Sequence, residues 1–432
     1  MKLTKTDFLI YQDCEKNAWL KIHKPDIYYA KPLSAFDEGI IETGNEVDLL
    51  ARELFPDGIS IEDRNDSERT RELIKNKTSV IYQPVFETEK YKMISDMFVW
   101  NESKQVYDLY EVKASNSGDD KKAKDKLYAN DIAFQYLVLK ELGVAVGKLF
   151  LIRLNSEYVR GAELDLNELF SIEDFTEEVK SLGETLLAEV EVAYDFLGKE
   201  EEPFGNCKCI IRGRNSQCTT FSYSNPNVPE YSVHDISRIG SSKKKLAELV
   251  DSGILSIMDV PDDFPLTEKQ RNQVDAVQSG KTFIDKSSIR DFMDKIKTPI
   301  SFLDYETYAA GIPRFAGYSP YNQIPFQFSL HVYKDGVVET DHKEFIFTEN
   351  KNPDEAFIKA LMEHLPSEGS VIVWYKVFEM ARNKDLAERN PDHKEFLENL
   401  NSRIIDLMDI FSDQYYIHPG FKGKTSIKYI LP

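Results

Sequence analysis

The chain has 432 residues, 41% of them hydrophobic and 12% aromatic, enough apolar material for two or three folded domains and too much for a disordered chain. No run approaches the ~18 apolar residues of a membrane span, and the charged start "MKLTKTDFLIYQDCEKNAWL" lacks a signal-peptide core, so a cytoplasmic protein without membrane partners is expected. A net charge of −20 argues against a protein that coats nucleic acid by bulk electrostatics, but not against an enzyme that grips phosphodiesters through bound cations, because clustered carboxylates add to that same excess.

In chain order, "GNEVDLLARELFP" (44–56) places Val47, Leu50, Ala51 and Leu54 at helical spacing and stops at Pro56. "KMISDMFVW" (92–100) and "VYDLYEVKAS" (106–115) read as two strands joined by the polar turn "NESKQ". "YANDIAFQYLVLKELG" (128–143) predicts a helix closed by Gly143, and "KLFLIRLN" (148–155) another strand. Residues 198–231 are rich in Gly, Pro, Asn and Ser and carry three of the four cysteines, and 232–295 read as a small helical segment. Within it, 244–266 has the cadence of a helix, a glycine turn, a short link and a second helix. From residue 298 a second α/β region begins, with strands expected at 300–305, 326–333 and 370–375 and a helix near 377–389.

Alternation along 106–115 puts Glu111 and Lys113 on one face of their strand. If the turn centres near Ser103–Lys104, Asp96 falls opposite Glu111, and two carboxylates at cross-strand distance repel unless a cation sits between them. Mg²⁺ or Mn²⁺ suits such a pair, and Lys113 beside it would stabilise an attacking water or the charged transition state. Asp96, fourteen residues and then Glu111-Val112-Lys113 resembles the PD-(D/E)xK nuclease signature, with Ser95 in place of the Pro. The upstream "GNEV" helix and Gln135 in "DIAFQYLVL" are similar to the RecB-like branch. That resemblance implies Asp96, Glu111, Lys113 and Gln135 as catalytic residues, and Glu46, at a position commonly held by a His, as a further metal ligand. Leu139 stands where the branch has a Tyr.

Cys14, Cys207, Cys209 and Cys218 could close a tetrahedral site for zinc or an iron–sulfur cluster, and spacing alone does not choose between them. One N-terminal Cys joined to three later ones resembles the staple of iron–sulfur RecB-like nucleases, which implies a [4Fe–4S] cluster ahead of Zn²⁺. The later group reads Cys207-x-Cys209 where that family usually has C-x2-C.

"FLDYETY" (302–308) places Asp304 and Glu306 on one face of an otherwise apolar strand, a pairing suited to shared metal coordination. With Phe378-Glu379 opening a later helix, this looks like the first two motifs of DnaQ-like exonucleases of the RNase H fold, implying Asp304, Glu306 and Glu379 as metal ligands. Lys376 stands at that family's Asn position, and the chain reaches Pro432 without the last Asp motif, so the second domain is expected to be truncated. Lys121, Lys122, Lys243 and Lys244 are candidate phosphate contacts, and a solvated surface is the plainer reading of such lysine runs.

The expectation is therefore an α/β chain with a PD-(D/E)xK restriction-endonuclease-like domain at 1–225, a helical linker, with a possible helix-hairpin-helix, at 226–295, and an RNase H-like domain at 296–432. Taken whole it resembles a bacterial family that fuses a RecB-like nuclease domain to a DnaQ-like one. The implied activity is metal-dependent hydrolysis of phosphodiesters, DNA before RNA, in processing, repair or defence. The alternative is a non-catalytic nucleic-acid-binding or scaffold protein with degenerate nuclease folds.

Overall fold

Two mixed sheets, each flanked by helices, organise the chain in a computed structural model that describes residues 1–116, 121–334, 336–338 and 342–431. The chain divides into two compact units. The first comprises Met1–Cys207, Cys218–Ser224 and Ala310–Asn322, and the second Lys208–Gln217, Asn225–Ala309 and Gln323–Pro432.

The first unit begins with helix α1 (Lys5–Asp13), capped by Thr4, and then α2 (Ala35–Arg52). A reciprocal Ser34–Asp37 capping box starts α2 nine residues before the segment predicted to be helical. Its six-stranded sheet runs in the order β1 (Ile59–Ser60), β2 (Val80–Tyr82), β3 (Met97–Asn101), β4 (Val106–Asn116), β5 (Val146–Leu154) and β6 (Phe170–Asp174). Helices α3 (Lys121–Glu141) and α4 (Thr176–Leu197) complete it. Gly143, at φ +69°, follows α3 as predicted. Alternation along β4 sorts the core. Tyr107 and Leu109 pack with Phe8, Phe134 and Val190 from α1, α3 and α4, while Tyr110 and Val112 pack with Val47 and Ala51 of α2.

The strand predicted over 92–100 is broken in two. Tyr91–Ile94 pairs with Val85–Glu87 and Leu3–Thr4 in a separate three-stranded sheet, whereas β3 pairs with β2 and β4. The switch has a covalent cause. Pro84 has no N–H to extend a ladder, and Gln83 beside it adopts φ +52°, so the paired strands bend where Gln83–Pro84 face Ser95–Asp96.

In the second unit, helices Lys243–Asp251 and Glu268–Ser279 pack on a small apolar core that includes Ile239, Leu246, Leu249 and Val274, and the helix Lys286–Met293 follows them in the chain. Gly253, at φ +75°, turns the chain after the first of them. The second helix expected within 244–266 is a single short 3-10 turn, Ile257–Asp259, because Pro261 and Pro265 delay helix formation until the Thr267–Gln270 capping box. The sheet of this unit contains β7 (Ile300–Ala309) antiparallel to β8 (Gln323–Lys334) and parallel to β9 (Ser370–Val373), which in turn runs parallel to β10 (Ile404–Asp406). Val337–Val338 and Lys343–Ile346 both pair with β8. Helices α5 (Asp354–His364), α6 (Lys376–Arg389) and α7 (Lys394–Ser402) complete its core around Leu303, Tyr305, Phe328, Phe357, Val371 and Leu386.

Among the described residues no helix is long and apolar enough to cross a membrane.

Candidate cation sites and the cysteine cluster

The register of β3 and β4 sets the first site. Met97 lies opposite Tyr110 in the last pair of the ladder, so Asp96 sits just past the end of β3 on the register that leads to Glu111, the register expected with the turn centred near Ser103–Lys104. The bend at Ser95 carries the Asp96 carboxylate over the strand end, where its Oδ2 accepts from the Val112 N–H at 2.7 Å. Glu111 lies deeper, its side chain 1% exposed, and accepts from Lys113 at 2.5 Å, Lys5 at 2.8 Å and Gln135 Nε2 at 2.7 Å. Gln135 also donates to Asp131, one helical turn earlier on α3, at 3.1 Å.

These neighbours split the two acids. Burial alone would raise Glu111, but the ammonium groups of Lys113 and Lys5 outweigh it and hold the carboxyl well below its usual range. Asp96 is pushed up to about 7, by burial first and by the Glu111 charge second, against the pull of Lys5 and Lys113. An acid so raised carries negative charge that its surroundings do not balance, the condition a bound cation relieves.

The helix α2 supplies a third acid, although not the expected one. Glu46 forms a two-pronged pair with Arg314, at 2.5 and 2.8 Å, with both side chains more than a third exposed. Asp48, two positions on, lines a cleft of ≈490 Å³ together with Gln83, Asp96 and Val112. Asn45, Asp48, Leu49 and Arg52 share the cleft-facing side of α2, whereas Glu46 falls off that spacing. Burial, and then the Glu111 charge, raise Asp48 despite its 2.5 Å pair with Arg52, and its buried Oδ1 has no hydrogen-bond partner among the described residues. Glu46→Ala should leave any cation-dependent cleavage within about twofold, because an exposed ion pair is worth under ~1 kcal/mol. Asp48→Ala should weaken Mn²⁺ binding at least tenfold, read by calorimetry; the reverse order would return the role to Glu46.

The sequence reading missed Lys5, Asp48 and Asp131. Asp131 had a signal, being spaced i, i+4 from Gln135 and facing the same way; Lys5, 106 positions from Glu111, had none.

In the second unit, β7 is apolar on one face alone. Phe302, Asp304, Glu306 and Tyr308 line the exposed face, a correction to the expectation of two acids rising from an otherwise apolar strand. Glu379, on α6, is 2% exposed and pushed up to about 7, mainly by burial and further by the charges of Asp304 and Asp406. Its Oε2 is buried without a hydrogen-bond partner among the described residues. Asp406 ends β10 and was not singled out from sequence. It accepts from the N–H groups of Tyr375, Lys376 and Met408 at 2.8–3.0 Å, holding Tyr375 at φ +77° where α6 begins. Glu306 is exposed. Lys376 is tied to Asp409 at 2.7 Å.

All four cysteines are buried, none in a disulfide, and their sulfur atoms lie within 4.8 Å of one another. Cys14 sits in the extended link between α1 and the helix Glu15–His23, and Cys207 and Cys218 bring their Sγ atoms to 3.8 Å. A single ion with Zn–S bonds of about 2.3 Å has tetrahedral S···S edges of about 3.8 Å. The cubane that the resemblance implies spreads its thiolates over separate irons and needs them farther apart. The four thiols are compatible with a metal ion or a cluster.

Of the proposed phosphate contacts, Lys244 is exposed, and the side chains of Lys121, Lys122 and Lys243 lie outside the described residues.

A family model described as a domain of unknown function, DUF2779, matches residues 301–426, the stretch that contains Asp304, Glu379 and Asp406. No curated protein matches the chain.

Proposed function

We propose that the chain is a divalent-cation-dependent nuclease that hydrolyses phosphodiester bonds, with DNA the first substrate to test. One observation carries this reading: Asp96, Glu111 and Lys113 come together at the end of a two-stranded bend, with a carboxylate pair whose charge the protein alone leaves unbalanced. The carboxylates of Asp96, Glu111 and Asp48 would hold Mg²⁺ or Mn²⁺, whose oxygen preference they match. The orphaned Asp48 Oδ1 and the raised Asp96 both fit that cation. Such an ion, when bound, supplies Lewis-acid polarisation of a phosphoryl oxygen and a more acidic water. The protein's own part is to aim the Lys113 ammonium at the developing negative charge and to keep Glu111 oriented through Gln135.

In the second unit, Asp304 and Glu379 are the acids that support a separate cation site within an RNase H-like domain, as the resemblance implies. The alternative reading is a degenerate nuclease fold that does not cut, with Lys376, tied to Asp409, in place of the Asn of the resembled family. The four cysteines we read as a structural clasp for one tetrahedral ion, zinc before iron–sulfur on their spacing.

The deciding experiment is cleavage of single- and double-stranded DNA in Mn²⁺ and Mg²⁺ by the wild-type chain, Asp96→Ala and Lys113→Ala. Activity is expected in the wild type alone, with loss of at least about 10³-fold in either variant. Equal cleavage by all three would place the chemistry elsewhere.

A further inference from the structure

Glu111 is held by two lysines, although the strand pattern pointed to one. Lys5, the first residue of α1, reaches Glu111 Oε1 at 2.8 Å and Asp131 Oδ1 at 3.1 Å. Lys113 spans the same two carboxylates at 2.5 and 2.6 Å. Gln135, fully buried, bridges them again, from Glu111 Oε2 to Asp131 Oδ1. The Glu111 and Asp131 side chains are 1% and 3% exposed. Two buried anions and two ammonium groups thus form a closed ring that is neutral without any metal. This ring accounts for Asp131 and Lys5, which the nuclease reading does not use.

The ring limits what else the site can take. A carboxylate offers about four acceptor positions. Three of those on Glu111 are already filled, leaving room for one further ligand bond. At formal charge, Asp48, Asp96, Glu111 and Asp131 contribute four negatives and Lys5, Lys113 and Arg52 three positives, so one negative charge remains in excess. One divalent cation together with the single charge of a phosphodiester brings that sum to zero. A second divalent cation would leave two positive charges uncompensated in a buried setting, where unpaired charge is most costly.

Resting on the nuclease reading above, the geometry points to Lys5 as a built-in replacement for a second metal ion: the site binds one divalent cation, and Lys5, braced by Asp131, neutralises the other side of Glu111. Lys5 is then a positioning residue, acting through Glu111 on the cation and not on the substrate. Removing its charge leaves Glu111 and Asp131 with one ammonium between them, and a second cation should enter.

Calorimetric titration of Mn²⁺ into the full chain tests this, with the metal content of the cysteine site measured beforehand. The wild type should take up one Mn²⁺ that Asp96→Ala loses. Lys5→Met should take up two, and Lys5→Arg, which keeps the charge, one. The double variant Lys5→Met/Asp131→Asn, which removes a cation and an anion together, should return to one. Two Asp96-dependent ions in the wild type, or a single ion in Lys5→Met, overturn the proposal. If Lys5→Met does not fold, the wild-type stoichiometry decides by itself. Two ions with intact cleavage would remove the role of Lys5 and spare the nuclease reading. No Mn²⁺ uptake by the wild type would remove both.

Discussion

Without divalent cations, Asp96→Asn should melt several degrees above the wild-type chain at pH 8, and the two should converge toward pH 4. The sign follows from the direction of the shift. Burial and the Glu111 charge raise the Asp96 carboxyl to about 7 in the folded chain, against a value near 3.9 when unfolded. The folded state therefore binds the proton more tightly. Whatever stability this group contributes is complete below about pH 4 and is lost as the pH climbs toward 7. Above that, the folded chain carries a half-buried anion at a cost of roughly 2–4 kcal/mol. Asparagine keeps an acceptor for the Val112 N–H and has no charge to desolvate.

Mn²⁺ should invert the order. Only the wild type retains the carboxylate pair, and a ligand at a hundred times its Kd adds about 2.7 kcal/mol to the folded state. The same substitution thus stabilises the cation-free fold and removes cleavage, the pattern of a site whose charge is kept for function. The check is a set of melting curves from pH 4 to 8, with EDTA and then with Mn²⁺. Parallel pH profiles for the two proteins would show that Asp96 carries no unbalanced charge.

The second large effect should come from Cys14→Ser. Cys14 lies 193 positions before Cys207, so an ion shared among the four sulfurs ties the start of the chain to the loop from Cys207 to Cys218. Closing so long a segment removes much freedom from the unfolded chain, and the binding free energy of a structural ion is itself folding free energy. All four thiols are buried, so an emptied site also leaves polar sulfur groups in the core. On the zinc reading, purified wild-type chain should carry about one metal ion and be colourless. Cys14→Ser should lose nearly all of it, and its chemical unfolding should shift by several kcal/mol. Elemental analysis and a urea titration measure both. A brown protein with several irons would favour the cluster over zinc; unchanged metal content and midpoint would remove the clasp altogether.

The hairpin was legible from residues 92–115 because its signals are local. Strand alternation has a period of two, so the shared face of Glu111 and Lys113 followed from counting, whereas Asp96 fell opposite Glu111 only with the turn centred at Ser103–Lys104, the centre that the Asn101–Val106 pair gives. Helix α3 and its closing Gly143 were legible for the same reason. The break at Ser95 was not, because its cause is Pro84 on the neighbouring strand, a residue that shapes Asp96 only after the two strands pair. Nor did β7 reveal that its acids lie on the open face, since a strand carries alternation without stating which side will be covered.

By itself, the sequence determined the strongly periodic elements, the shared face of Glu111 and Lys113, and the four available thiols. Only the tertiary structure decided that Asp48 and not Glu46 lines the cleft, that Lys5 and Asp131 enclose Glu111, that Asp406 stands beside Glu379, and that the sulfurs converge. Periodicity is a property of neighbours along the chain. The charge felt at a carboxylate depends on which helices stack above it, and those helices are brought together by the burial of apolar faces that carry no record of the charges beside them.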